Sequence, residues 1–112
     1  MLFRSIIRTT NEEVFVPPKK VASAARIGLL LRKTSGRGGT LVGIKRAHQL
    51  ANRDHVSFTT IKRMDKFFKR HRKNKMTPPE KGNGFIAWML WGGDPGMKWA
   101  KSIIRKYQNQ KS

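Results

Sequence analysis

The chain has 112 residues, of which 25 are Lys or Arg and six are Asp or Glu, for a formal net charge of +19. That length fits one domain with a modest core, and the absence of cysteine excludes disulfides and thiolate metal sites. Self-repulsion at such a charge opposes a compact state, which points to a polyanionic partner: nucleic acid first, an anionic membrane surface second.

Residues 1–18 form an N-terminal arm in which LFRSIIR and EVFV are short β-favouring runs joined by Thr9-Thr10-Asn11-Glu12. They predict a hairpin or an extended arm, packed on its own domain or on a neighbouring subunit, and Pro17-Pro18 closes it. Met1 to Arg8 has basic residues but no hydrophobic region followed by a small-residue cleavage site, so a cytosolic product is expected. The apolar runs along the chain are too short to span a bilayer, and no membrane partner is expected.

Residues 19–108 read as a single helical domain, followed by a tail at 109–112. Lys19 to Lys33 is an amphipathic helix with a small-residue stripe of Val21, Ala24, Ala25, Gly28 and Leu31, widened by Ile27 and Leu30. Ser35 to Thr40 is a glycine-rich loop. Its N–H groups offer a phosphate cradle with Arg37 adding charge. The plainer reading, a connection ending in Thr40 as N-cap, is preferred because the loop lacks the Lys-Ser/Thr ending of a P-loop. Leu41 to Asn52 follows as a helix with Leu41, Ile44, Ala47, Leu50 and Ala51 inward, and Arg53 to His55 is a turn.

The stretch Val56 to Lys75 dominates the chain. Ser57 is a good N-cap, and Phe58, Ile61, Met64, Phe68 and His71 recur at helical steps on one face. Lys62, Lys66, Lys69 and Lys73 line the opposite face, with Arg63 and Arg70 on its flank, in a helix expected to run from Ser57 to Lys73. Asn74 to Asn83 reads as a linker. Gly84 to Trp91 is a buried apolar helix ended by Gly92-Gly93, and Asp94-Pro95 gives an N-cap with proline at the first helical position. The last helix points Met97, Ala100, Ile103, Ile104 and Tyr107 inward and Lys98, Lys101, Arg105 and Lys106 outward, ending near Gln108. The expected fold class is mainly all-α, a compact bundle of about four to five short helices with a helix-turn-helix-like pair.

The pair spanning 41–73 fits a helix-turn-helix in spacing, with Ala51 at the small-residue position and Thr59, Thr60, Lys62 and Arg63 facing bases or phosphates. Asp54 and His55 stand where an apolar residue and a glycine are usual, which weakens base readout. Backbone contact is better supported. Between Arg53 and Lys75 the basic residues are Arg53, Lys62, Arg63, Lys66, Lys69, Arg70, Arg72, Lys73 and Lys75, against Asp54 and Asp65 alone, whereas a merely solvated face mixes its signs.

Catalysis is not expected. His48, His55 and His71 lie within reach of one another across the helix pair, but metal-dependent hydrolysis needs further ligands. The acids are scattered: Glu12-Glu13 in the arm, Asp54 in a turn, Asp65 among cations, Glu80 in the linker and Asp94 at a cap. No two form an acid–base pair, so no catalytic residue, metal or cofactor is expected. Trp88, Trp91 and Trp99 sit among Ile86, Met89, Leu90 and Ile103, so core packing is a better account of them than base stacking.

The set RGGT (37–40), KRAHQLAN (45–52), VSFTTIKRM (56–64), FFKRH (67–71) and IAWMLWGGDPG (86–96) resembles a small domain that recurs in bacteriophage proteins, alone or attached to virion and head-maturation proteins. The resemblance covers roughly Pro17 to Arg105; it implies a phage source and a helical fold, and it carries no catalytic residues over. After the Arg-His pair such relatives are expected to be acidic and longer. This chain has Arg72-Lys73-Asn74-Lys75 there, as if adapted to a polyanion.

The function expected is therefore a non-enzymatic phage protein that binds nucleic acid, double-stranded DNA ahead of RNA, through phosphate contacts. Lys62, Arg63, Lys66, Lys69, Arg70, Arg72 and Lys73 carry it, with Arg37, Lys45 and Arg46 contributing. The alternative is a virion component or small regulator that docks on a host or phage protein, such as an acidic surface of RNA polymerase. Its contacts would be the arm and the run Phe85 to Trp91. Either way the expected location is the host cytoplasm, with packaging in the virion a further expectation.

Overall fold

A computed structural model describes residues 13–76 and 83–111, and its order is β1 (Val14–Phe15), α1 (Lys19–Ser35), α2 (Leu41–Ala51), β2 (Val56–Ser57), α3 (Phe58–Arg70), a 3-10 turn (Arg72–Met76), α4 (Gly84–Leu90) and α5 (Gly93–Lys111). The protein is a mainly helical bundle with one small sheet, as the periodicities predict. The run LFRSIIR lies outside the described residues. The second run of the arm pairs antiparallel with β2, Val14 opposite Ser57 and Phe15 opposite Val56. Val56 and Ser57 are thus extended, and α3 starts at Phe58, with the Ser57 hydroxyl accepting from the Thr60 N–H as the expected N-cap.

α1 packs on α2, α4 and α5. Its small-residue face makes this possible, since Val21, Ala22, Ala24, Ala25 and Gly28 are buried. A Cβ on Gly28 would stand 2.6 Å from the Leu90 backbone nitrogen, so α1 and α4 meet backbone to backbone. The expected widening of this stripe does not occur. Ile27 and Leu30 are 47% and 63% exposed, and Leu29 packs against the core instead. At 3.6 residues per turn Leu30 lies on the far side of the helix from Val21, so close packing of the small residues leaves it in solvent. The same correction applies to Leu41, 81% exposed, because the inward arc of α2 is centred on Gly43, Ala47 and Leu50.

The glycine-rich loop is a connection. Gly36 closes α1 in a left-handed cap (φ 71°), and Thr40 caps α2 by accepting from the Gly43 N–H. The core comprises Trp88, Phe68, Leu50, Ile61, Met64, Ile86 and Leu90, fed by α2, α3 and α4. Gly92 and Gly93, at φ 109° and 62°, turn the chain from α4 into α5. α5 begins at Gly93, so Asp94 lies inside its first turn and is not the expected N-cap. Its carboxylate instead accepts from the Trp88 indole N–H at 2.9 Å, satisfying the one polar atom of a buried ring. α5 then runs to Lys111, past the expected end at Gln108.

α3 is shorter than the periodicity predicts. It ends at Arg70, His71 leaves the helical region, and Arg72–Met76 tightens into the 3-10 turn. Like charges one turn apart at Lys66, Arg70 and Lys73 oppose its continuation as α-helix.

Candidate nucleic-acid interface

α2 and α3 follow one another through a short turn but pack on different neighbours. α2 lies on α1 and α3 on α5, and the two make little contact with each other. The turn is held locally: Arg53 adopts φ 55°, and the Arg53 and Asp54 N–H groups donate to Leu50 and Gln49 carbonyls. A cleft of about 370 Å³ opens where the start of α2 faces the second half of α3. Thr40 and Val42 stand on one side, Arg63, Lys66 and Arg70 on the other, with Phe67, His71 and Trp91 between them.

The aromatic floor is built by three elements. Trp91, just past α4, stacks on Phe67 with ring centres 4.6 Å apart and planes 10° from parallel. The His71 imidazole lies 4.7 Å from the Phe67 ring. Gly43 allows the edge of Trp91 to approach α2, since a Cβ there would meet the indole nitrogen at 3.2 Å. Phe67 is 7% exposed and is a core residue that the face read from the sequence omits. Its sequence signal was the Phe67-Phe68 pair, in which both rings are buried rather than one.

Above this floor sits Arg46. Its guanidinium lies 5.5 Å from the centre of the Trp91 ring, and one of its terminal nitrogens donates to the Gln49 side-chain oxygen. Its Nε is buried and meets no acceptor among the described residues. Burial, and then the charge of Arg63, push its pKa down from the usual guanidinium value. Two guanidiniums thus repel across a partly desolvated space, and no carboxylate is among the described residues that line the cleft. An anion placed there would relieve that repulsion.

The residues expected to bind are not all equivalent. Arg63, Lys66 and Arg70 are exposed and line the cleft from α3, with Arg46 half-buried beside it over the Trp91 ring. Lys45 is exposed on α2 and lines a neighbouring groove with Arg46, His48 and Asp54. Lys62 and Lys69 are on the outer side of α3. Lys62 lies 5.4 Å over the Phe58 ring, and Lys69 is 3.0 Å from the carboxylate of the buried Asp65. Arg72 and Lys73 are exposed on the 3-10 turn, and Arg37 is exposed in the loop before α2. Of the helix-turn-helix positions, Thr59 is exposed and Thr60 half-buried, its hydroxyl 3.3 Å from that of Ser57.

Other cations have structural work. The Arg53 Nε donates to the Pro17 carbonyl at 2.7 Å, tying the arm to the turn after α2. Arg26 donates to the Ala51 carbonyl at 2.9 Å, and Arg32 to the Gly38 carbonyl at 3.1 Å. Arg53 therefore leaves the set of basic residues that the sequence places along the α3 stretch. Among the described residues no three His, Asp or Glu side chains form a group able to hold a metal ion, so His48, His55 and His71 do not come together as ligands. No helix among them is long and apolar enough to cross a membrane. No protein-family model, curated protein or solved structure matches this chain.

Proposed function

We propose that the protein is a non-enzymatic nucleic-acid-binding protein that grips phosphates with the cationic side of α3 and the facing Arg46, on DNA in preference to RNA. One observation carries this reading. Arg63, Lys66 and Arg70 line one cleft beside Arg46, whose Nε has no acceptor among the described residues, and no acidic side chain is among the described lining of that cleft. A solvated face that served only solubility would mix its charges, and a net charge of +19 leaves the whole molecule in want of a polyanion. Lys62, Lys69, Arg72 and Lys73 widen the footprint, with Arg37 and Lys45 at its margin. A phage setting, in the host cytoplasm or packaged with the virion, belongs to the same proposal and rests on the motif resemblance alone.

A gel-shift series on double-stranded DNA, single-stranded DNA and RNA of equal length tests it. Retarded DNA at micromolar protein, lost on Arg63→Ala/Arg70→Ala substitution, is the expected result; no shift of any of the three contradicts it.

A second reading, docking on a host or phage protein such as an acidic surface of RNA polymerase, is favoured by apolar side chains left in solvent. Leu30, Leu41 and Val42 are 63%, 81% and 57% exposed. Of the run Phe85 to Trp91, Ile86, Trp88 and Leu90 are buried, which leaves Phe85, Ala87, Met89 and Trp91 as its partly exposed members. Recovery of a stable protein complex after nuclease treatment, with no DNA shift, would favour this reading.

A further inference from the structure

A protein that only grips the phosphates of a duplex needs a cationic surface and has no use for a hollow in it. Here the cations surround one. The cleft of about 370 Å³ falls within the range of small-ligand sites, roughly 300–1,000 Å³. Its floor is aromatic, with Trp91 stacked on Phe67 and the half-buried imidazole of His71 beside them. A simple anion would satisfy the rim and leave this floor wet. A paired base cannot reach it, because its faces are covered by its neighbours in the stack. An unstacked base fits both demands: a flat apolar ring for the floor and an attached phosphate for the guanidiniums.

We propose that the cleft between the start of α2 and the second half of α3 receives one unpaired nucleotide of a bound nucleic acid. The base lies in the cleft beside Trp91 and His71, and the phosphate lies against Arg63, Lys66 and Arg70. The inference rests on the reading that this side of α3 contacts nucleic acid, and it adds what is recognised: a bulge, a frayed end or a single-stranded tail, in preference to an unbroken duplex. Arg46 prepares the site. Its guanidinium lies 5.5 Å from the centre of the Trp91 ring and close enough to Arg63 to be repelled by it, so a phosphate held between Arg63 and Arg70 offsets that repulsion. Two other clefts among the described residues lack this combination. The one beside Val14, Phe15 and Tyr107 includes Glu13 among its lining, and the one along α2 includes Asp54.

The test compares two DNA duplexes of identical sequence, one fully paired and one with a single unpaired adenosine, by fluorescence anisotropy at fixed salt. The unpaired base is expected to tighten binding by about tenfold, within what stacking on aromatic side chains brings. Val42→Trp, at an exposed position on the cleft wall, fills the cleft and should remove that advantage, as should Val42→Glu, which sets a carboxylate against the phosphate. Leu30→Trp, exposed on α1 and not among the cleft residues, should keep it. Equal affinity for the two duplexes in the unmodified protein overturns the nucleotide site while leaving phosphate contact standing. Failure to bind either duplex overturns both. A preference that survives both Val42 variants shows that the base lodges elsewhere, and also overturns the proposal.

Discussion

The α1 side and the α3 side of the molecule use the same residue types for opposite ends. Around α1, arginines are anchored: Arg26, Arg32 and Arg53 each donate to a backbone carbonyl, and Gly28 lets α1 lie directly on the α4 backbone. Around α3 and the facing start of α2 the cations stand over a cleft with no acid among its described lining, and the Arg46 Nε meets no acceptor among the described residues. A count of basic residues treats these regions alike. Geometry separates cations that close the fold from cations that face an open cleft.

That division can be broken from either side. The largest effect is expected on the α1 side, where Gly28→Val has no room for its side chain against Leu90. Overpacking should cost about 1–3 kcal/mol or more in denaturant unfolding, with any loss of DNA binding following the loss of fold. Arg53→Ala should come next, at about 1–2 kcal/mol. It strands the carbonyl of the buried Pro17, and the chemical-denaturation midpoint should fall while DNA affinity of the folded protein barely changes. On the α3 side the pattern inverts. Arg63→Ala and Arg70→Ala should each leave stability within about 0.5 kcal/mol. Each should also make the log–log salt slope of binding shallower by about 0.9, the contribution of one phosphate contact. Lys69→Ala should give the smallest change. Its ammonium is already matched by Asp65 at 3.0 Å and is 65% exposed, so it adds less than either arginine to the slope, and its pair is worth about 0–1 kcal/mol in stability. If Lys69 matters more than Arg63, the cleft side of α3 is not the centre of the interface.

Much of the scaffold was legible in the sequence because it is written in local chemistry. The periodicity of Ile61, Met64 and Phe68, the caps at Thr40 and Ser57, and the Gly92-Gly93 turn each act within a few residues. The departures have a long-range cause. β1 and β2 are two residues each and pair across more than forty positions of chain, so nothing local to Val56 and Ser57 signals that they form a strand. Asp94 was a sound N-cap by position, but a buried indole N–H competed for its carboxylate. Leu30 and Leu41 were assigned inward by their hydrophobicity, whereas the close approach at Gly28 and Gly43 narrows the buried arc of both helices.

The candidate site divides the same way. Its cations were visible as a one-sided charge pattern, and Arg63, Lys66 and Arg70 do share a surface. The cleft was not visible, because it exists only through the separation of α2 and α3 and the insertion of Trp91 between them. No spacing in the chain sets Trp91 against Phe67, or Arg46 over Trp91. Nor could the sequence distinguish Arg53, bonded to the Pro17 carbonyl, from the arginines of α3 that face the cleft.

The most direct test of the account is the affinity of the unmodified protein for duplex DNA across a salt series, plotted as log K against log salt concentration. Phosphate contact by Arg63, Lys66, Arg70 and Arg46 predicts a steep negative slope of about −3.6, at about −0.9 for each contact, made steeper by whatever Lys62, Arg72 and Lys73 add. A slope near zero with binding retained would contradict the claim that this cationic side of the molecule grips a nucleic-acid backbone.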